Sequence, residues 1–140
     1  MARALILETT FLIDLERETA HPRPGPALRF LEKNTEDSLY LTFTIAGELA
    51  AGRDAAGREA WEEFLAPFHL LSCTPEVCWR YGEAYRYLRE NGRLIGTNDL
   101  WIAATAVAFA MPLVTRNERH FRRVPGLQVL AYLAESGGSD

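Results

Sequence analysis

Short apolar runs along the chain alternate with longer segments in which apolar residues return every three or four positions. A short unbroken apolar run favours a strand covered on both faces, and the longer spacing favours an amphipathic helix. The short runs predict strands at residues 4–7, 38–41, 68–71 and 113–115, with a candidate fifth at 127–130. Strands that alternate with helices predict βαβ units. We therefore expect a three-layer α/β/α sandwich with a central, mainly parallel sheet of four or five strands.

Two of the predicted helices have clear boundary signals. Thr42 or Thr44 is placed to cap a helix that runs to about Phe64. Thr97 is placed to cap a nearly all-apolar helix that runs to about Met111. Because a helix that is apolar on all sides has no polar face to give to water, this second helix should lie deep in the core.

Composition indicates one ordinary globular domain. The chain has 140 residues, of which 48% are hydrophobic and 24% charged, with a formal net charge of −4. We expect a single domain over residues 1–133 and a mobile tail over 134–140. No secretory signal is recognised, and the longest apolar run, at 100–114, is interrupted and too short for a bilayer. The expected location is the cytoplasm, with no membrane contact.

Several polar residues map to one edge of the predicted sheet. Glu8 directly follows the first strand, Glu48 lies one turn into the helix after the second, and Asp99 lies in the first turn of the apolar helix. Thr115 and Asn117 lie at the end of the fourth strand. In a parallel α/β sheet, the carboxyl ends of the strands and the amino ends of the helices share an edge, where ligands bind. We therefore expect these side chains to lie close together.

The acidic members of this set point to a divalent metal. Asp99 alone has an ordinary explanation, since a helix dipole favours an acid in the first turn. Three carboxylates gathered together repel one another unless a cation neutralises them. Their oxygens are hard ligands that suit Mg²⁺ or Mn²⁺, and such clusters serve metal-assisted attack on phosphodiesters. Glu8, Glu48 and Asp99 are therefore the predicted metal ligands.

Four segments of the chain resemble the PIN-domain family, in particular the VapC-type ribonuclease toxins of bacterial toxin–antitoxin pairs. The opening segment LILETTFLIDLER resembles the family's first-strand signature, and TFTIAGELAAG resembles the segment with its conserved acid, here Glu48. TNDLWIAATA is similar to the third-acid motif, here Asp99, and PLVTRNERHFRRVPGL is similar to the C-terminal motif with its polar residue, here Asn117. The order and spacing agree over about residues 3–131.

This resemblance implies a metal-dependent endoribonuclease whose catalytic residues are Glu8, Glu48, Asp99 and Asn117, with Mg²⁺ or Mn²⁺ as cofactor. It also implies an RNA substrate and a small VapB-type antitoxin that blocks the acidic site. The predicted helix with Tyr81 and its neighbouring aromatic residues has more apolar surface than one core needs, which favours a homodimer.

Further polar residues near the same edge are candidates for substrate contacts. The hydroxyls of Thr10 and Thr115 are placed to hold a water or a substrate oxygen. Arg116 and Arg119 follow the fourth strand and are placed to contact RNA phosphates. A solvated, solubilising turn explains the two arginines equally well.

Two departures from the family pattern keep a second function open. Position 8 is Glu where the family normally has Asp, and His120 lies at or beside a position where many members have a further acid. The longer Glu8 side chain changes the reach toward an ion that demands near-ideal octahedral geometry. The alternative is a catalytically weakened PIN-like module that binds RNA or a partner. A phospho-acceptor domain is set aside because Lys33, the only lysine, lies far from where that class needs one.

The remaining polar residues near the site receive ordinary structural interpretations. Asp14, Glu16 and Glu18 are expected to form a solvated helix face. His120 lies close to the site but has no partner at ligand spacing, so its role stays open.

Overall fold

A computed structural model describes residues 2–52 and 57–133, so the predicted mobile tail at 134–140 lies outside the described residues. Its five strands form one sheet in the order β3-β2-β1-β4-β5, and every neighbouring pair is parallel. The strands are β1 (Ala4–Leu7), β2 (Ser38–Thr42), β3 (His69–Leu71), β4 (Leu113–Val114) and β5 (Val129–Leu130). The predicted α/β fold class is confirmed, and the candidate fifth strand is present.

Seven helices flank this sheet in the described part of the chain. They are α1 (Thr9–Thr19), α2 (Pro26–Lys33), α3 (Phe43–Ala51), α4 (Arg58–Leu65), α5 (Pro75–Glu90), α6 (Thr97–Ala108) and α7 (Glu118–Phe121). Helix α6 packs on both α5 and α3, and α1 packs on α2. None of the helices described is long and apolar enough to cross a membrane.

Strand β1 occupies the centre of the sheet and of the core. Leu5, Ile6 and Leu7 are completely buried, as their unbroken apolar run predicts. The chain leaves this strand at Glu8, whose backbone amide still bonds to the Val114 carbonyl of β4 at 2.9 Å. Glu8 therefore lies at the carboxyl edge of the sheet, and its hydrogen bond to β4 fixes its backbone.

The single helix predicted from Thr42 or Thr44 to about Phe64 is wrong in its length. Thr42 is indeed the N-cap, and its hydroxyl accepts the amide of Ile45 at 3.2 Å. The first helix, α3, ends at its C-cap Gly52, and a separate helix, α4, begins after Gly57. Glycine has low helix propensity because it loses the most backbone freedom on ordering. The residues between, 53–56, lie outside the described residues.

The apolar helix lies in the core as predicted, but both of its ends differ from the prediction. Gly96, not Thr97, is the N-cap of α6, and it makes no side-chain capping bond. The helix ends at Ala108 rather than near Met111, because Ala110 adopts a left-handed conformation with φ of 55°. The Met111 amide then bonds back to the Ala106 carbonyl at 3.0 Å, which closes the last turn.

Candidate active site

Glu8 is a buried carboxylate at the carboxyl end of β1. Its side chain is only 4% exposed, and it serves as the N-cap of α1. One oxygen, Oε1, accepts the Thr10 backbone amide at 3.3 Å and the hydroxyls of Thr10 and Thr115, each at 2.6 Å. All three of these bonds end on the same oxygen.

The two threonines are oriented by the turn after β4. The Thr10 hydroxyl accepts the Arg116 amide at 3.0 Å, and the Thr115 hydroxyl accepts the Asn117 amide at 2.9 Å. A hydroxyl has only one proton to donate. Because each hydroxyl also accepts a backbone amide, its proton is free to point at Glu8. The predicted substrate-binding hydroxyls of Thr10 and Thr115 are therefore engaged in positioning Glu8.

The environment of Glu8 disfavours its charge. Burial raises the pKa of the Glu8 carboxyl above its ordinary value of 4.5, the bonds from Thr10 and Thr115 oppose this shift, and the negative charge of Asp99 adds to it. Desolvation outweighs the three hydrogen bonds, so the net direction is upward. The carboxylate is thus held in position at an electrostatic cost.

Glu48 lies one turn into α3 and is held from two sides. Its Oε1 accepts the Thr9 hydroxyl at 2.5 Å, and its Oε2 accepts the Asn98 side-chain amide at 3.2 Å. These bonds connect the start of α1 with the start of α6 through Glu48. The helices α1, α3 and α6 are therefore in direct contact at the edge where they were expected to meet.

Asp99 lies in the first turn of α6 and is paired with a histidine. Its Oδ2 lies 3.0 Å from Nε2 of His120, and each of these two side chains is about a third exposed or less. Burial raises the pKa of the Asp99 carboxyl, the positive field of His120 opposes the shift, and Glu48 adds to it. Asp99 thus interacts electrostatically with both Glu8 and Glu48. The role left open for His120 is resolved as the partner of Asp99.

The three acids do not form a ready-made cage for a metal. Among residues 2–52 and 57–133, no three His, Cys, Asp or Glu side chains are already grouped in the geometry of a metal site. Each acid is instead bonded within the chain, Glu8 to hydroxyls, Glu48 to Thr9 and Asn98, and Asp99 to His120. Their assignment as metal ligands remains a prediction.

Asn117, Arg116 and Arg119 are all exposed in or next to the turn after β4. The Asn117 side chain makes no capping bond to α7, for which it is the N-cap. Arg116 is anchored, since its Nη1 lies 2.7 Å from Oδ1 of Asp14. The structure therefore places the three predicted residues at the site edge and anchors one of them.

Asp14 is not part of a solvated helix face, which corrects the sequence-based expectation. It is buried on α1 and bonded on its other oxygen by the Tyr132 hydroxyl at 2.5 Å. Burial raises the pKa of that hydroxyl, and bonding to Asp14 adds to the shift. The spacing along the helix could have indicated this burial. Asp14 is three residues after the buried Phe11 and so shares its helix face.

Glu18 also departs from the expected solvated face. Its two oxygens accept the backbone amides of Ala27 at 3.0 Å and Leu28 at 2.8 Å. These amides belong to the first turn of α2, where the N-cap Gly25 has no side chain to offer. Glu18 therefore caps a neighbouring helix from α1, a long-range contact with no local sequence signal.

Replacing Thr115 by Val should destabilise the protein by about 1–3 kcal/mol, because the buried Glu8 carboxylate and the Asn117 amide both lose a partner. Urea unfolding of the metal-free protein measures the effect. Thr105→Val is the matched control, since Thr105 is equally buried but its hydroxyl bonds only to the Trp101 carbonyl of its own helix. Equal losses in the two variants would show that the Glu8 network adds no stability of its own.

The chain is similar in sequence to a known protein family and to individual members of it. The family model of the PIN domain matches residues 5–127. Ribonuclease VapC1 of Haemophilus influenzae strain R2866 is 33% identical over 99 residues, which cover 66% of this chain and 72% of that protein. Ribonuclease VapC of Rickettsia bellii is 29% identical over 134 residues, covering 90% of this chain and 94% of the relative.

Solved structures agree with these sequence matches. VapBC-1 from nontypeable Haemophilus influenzae aligns with a TM-score of 0.77 at 29% identity, over 93% of this chain and 98% of the other. VapBC2 from Rickettsia felis, bound to a DNA fragment from the promoter, aligns with a TM-score of 0.75 at 24% identity, over 92% and 98%. The second likeness, below 25% identity, supports the fold alone.

Proposed function

This chain belongs to the PIN-domain family and has relatives among the VapC ribonucleases, and from that premise we propose that it is a metal-dependent endoribonuclease, the toxin of a toxin–antitoxin pair. The observation that carries the proposal is the placement of three acids. Glu8, Glu48 and Asp99 come from three elements far apart in sequence, and Asp99 interacts electrostatically with both of the others. Repulsion among these carboxylates adds no stability to the fold, so their placement favours the binding of a cation.

The donor set fits Mg²⁺ or Mn²⁺ in chemistry. All three acids offer hard carboxylate oxygens, and burial raises the pKa of both Glu8 and Asp99, a cost that a divalent cation would relieve. Oε1 of Glu8 is committed to its three donors, which leaves Oε2 as the oxygen for an ion. When bound, the metal lowers the pKa of a water and stabilises charge on the scissile phosphate.

The chain's own residues prepare this site before any ligand arrives. Thr10 and Thr115 hold Glu8 in one orientation, and we assign them this positioning role rather than direct substrate contact. His120 holds Asp99 through Oδ2, and Asp99 would be one of the residues that hold the metal. The exposed amide of Asn117 is assigned to a water or a substrate oxygen beside the acids.

The proposal is tested by removing the metal. Purified protein incubated with a panel of structured and unstructured RNAs should cleave at least one of them in Mg²⁺ or Mn²⁺. Cleavage should stop in EDTA and return when excess metal is added back. Products should arise at internal phosphodiesters, which end-labelled RNA resolves on a sequencing gel. Cleavage at the same sites and rate in EDTA would contradict the metal-dependent mechanism.

A second candidate function is a binding module without strong catalysis. It is favoured by the intrachain bonds that occupy each acid, together with the lack of a preformed three-ligand group among the described residues. Calorimetric titration with Mn²⁺ separates the two. Measurable binding that is lost when Asp99 is changed supports the nuclease, whereas no binding, with RNA affinity intact, supports the module.

The exposed Arg119 is proposed to contact RNA phosphates. Its replacement by Ala should weaken RNA binding in all sequences tested and lower the slope of log affinity against log salt by about 0.7–0.9, because one phosphate contact is lost. Fluorescence anisotropy across a salt series, in Ca²⁺ or EDTA to prevent cleavage, measures this. Arg3→Ala is the matched control, since Arg3 precedes β1 at the opposite edge and pairs with Asp37. An equal change in both variants would show that Arg119 contributes only net charge and makes no phosphate contact of its own.

Partners of two kinds follow from the same premise. The relatives of known structure include VapBC-1, and we propose a VapB-type antitoxin that covers the acidic site of this chain. We also propose a homodimer through α5. Trp79 and Tyr87 of that helix are 58% and 46% exposed, far more than aromatic side chains in a core, and such surface favours an interface.

A further inference from the structure

The two cysteines of the chain lie together at the start of α5. Cys73 immediately precedes the N-cap residue Thr74, and Cys78 is the fourth residue of the helix, which begins at Pro75. Both thiols are free and exposed, and their sulfur atoms are 3.7 Å apart. Neither takes part in the acidic site, which is built from α1, α3, α6, α7 and the turn after β4.

The capped helix end is what holds this pair in contact. At many capped helix starts, the residue before the cap packs on the fourth residue of the helix, as an apolar staple. The Thr74 hydroxyl accepts the Val77 amide at 3.2 Å, and the Thr74 carbonyl accepts the Cys78 amide at 3.1 Å. Pro75 further restricts the backbone at the first helical position. The sulfur contact is therefore set by the local fold.

Apolar packing is a weak explanation for these particular residues. A staple stabilises by removing apolar surface from water, but both of these side chains remain exposed. Two exposed thiols in contact are instead suited to react, since accessible thiols exchange with disulfides. Cys73 lies between β3 and α5, in a segment that is neither helix nor strand.

We propose that Cys73 and Cys78 form a reversible thiol–disulfide exchange site for low-molecular-weight disulfides such as oxidised glutathione. One thiolate attacks the disulfide, forms a mixed disulfide and releases one glutathione thiolate. The second protein thiolate then attacks the protein-side sulfur, closes the Cys73–Cys78 bond and releases the other. Two protein thiols are oxidised, one glutathione disulfide is reduced to two thiols, and the two protein protons pass to those thiols through solvent.

The required movement is small. The sulfurs must approach by roughly 1.7 Å, from the observed 3.7 Å to the bonded distance of about 2.0 Å. The pair lies at the carboxyl end of β3, the same edge of the sheet that Glu8 occupies through β1. The bond would tie the β3–α5 connection to the helix it leads into.

The test equilibrates the full chain in a series of glutathione buffers, followed by acid quenching, alkylation and intact mass spectrometry. The expected product has lost two hydrogen atoms and resists alkylation, and it should revert to the dithiol in reduced glutathione. Cys73→Ser and Cys78→Ser are matched controls that should form only a mixed disulfide with glutathione. Accumulation of glutathione adducts or of disulfide-linked dimers on the unaltered chain would overturn the proposal.

A second measurement tests the role of the capped helix without any substitution. The midpoint ratio of reduced to oxidised glutathione gives an effective concentration for the pair, in buffer and in urea that unfolds the chain. We expect the folded value to be higher by about five-fold or more, the equivalent of one helix cap of about 1 kcal/mol. Equal values would show that proximity along the chain alone pairs the thiols, and would overturn the assignment of a built site.

Discussion

Replacing Asp99 by Asn should lower metal-dependent RNA cleavage by at least about 100-fold, since changing even groups that only support metal ligands costs 10–100-fold. Asp99 is the acid that interacts electrostatically with both Glu8 and Glu48. The substitution keeps the size of the side chain and an oxygen for His120, but it removes the charge that a cation needs. Initial cleavage rates at saturating Mn²⁺, with circular dichroism to verify folding, measure the effect.

Asp37→Asn is the matched control for this substitution. Asp37 pairs with Arg3 beside the start of β2, at the opposite edge of the sheet from the acids. It should lose some stability and leave the cleavage rate per folded molecule unchanged. Equal cleavage by the Asp99→Asn variant and the parent would remove Asp99 from the active site and, with it, the proposed mechanism.

Replacing Glu8 by Gln should stabilise the metal-free protein at neutral pH and abolish its activity. Gln retains a carbonyl oxygen for the Thr10 amide and for the hydroxyls of Thr10 and Thr115, while it removes a charge that burial disfavours. The same change deletes a proposed metal ligand. Stability and activity should therefore move in opposite directions at this one position.

The pH dependence of this effect has a definite sign. The pKa of Glu8 in the folded protein is raised above 4.5, so folding favours the protonated form. The stability associated with Glu8 is fully present below pH 4.5 and is lost as pH rises through the folded pKa. In EDTA, the melting temperature of Glu8→Gln should therefore match the parent near about pH 4 and exceed it at about pH 7.

Added metal should make the parent more stable to heat than Glu8→Gln, which reverses the order expected in EDTA. An ion that binds only the folded parent raises its melting temperature by mass action, and the variant without a ligand gains less. A metal titration followed by thermal unfolding at neutral pH measures the crossover. A variant that is less stable than the parent in EDTA at neutral pH would show that the hydrogen bonds to the Glu8 carboxylate outweigh its desolvation.

The α/β fold class and the edge of the sheet at which the acids lie could be predicted from the sequence, because both follow from local periodicity. The unbroken run at β1 and the apolar residues of α6 mark buried elements directly. Once the elements alternate, the carboxyl edge of the sheet must collect the residues after β1 and at the start of α6. Glu8 and Asp99 could be assigned to one edge on that argument alone. The split between α3 and α4 was missed because the apolar spacing continues across the glycines that separate them.

What the sequence determined by itself was thus the set of elements, their order and the edge at which polar residues gather. Only the tertiary structure decided which partner each side chain takes. It paired His120 with Asp99, buried Asp14 against Tyr132 and Arg116, and turned Glu18 to cap α2. The physical reason is the distance along the chain over which each kind of interaction acts. Helix and strand signals act over a few residues, whereas a hydrogen bond to a buried carboxylate depends on elements that only the assembled core brings together.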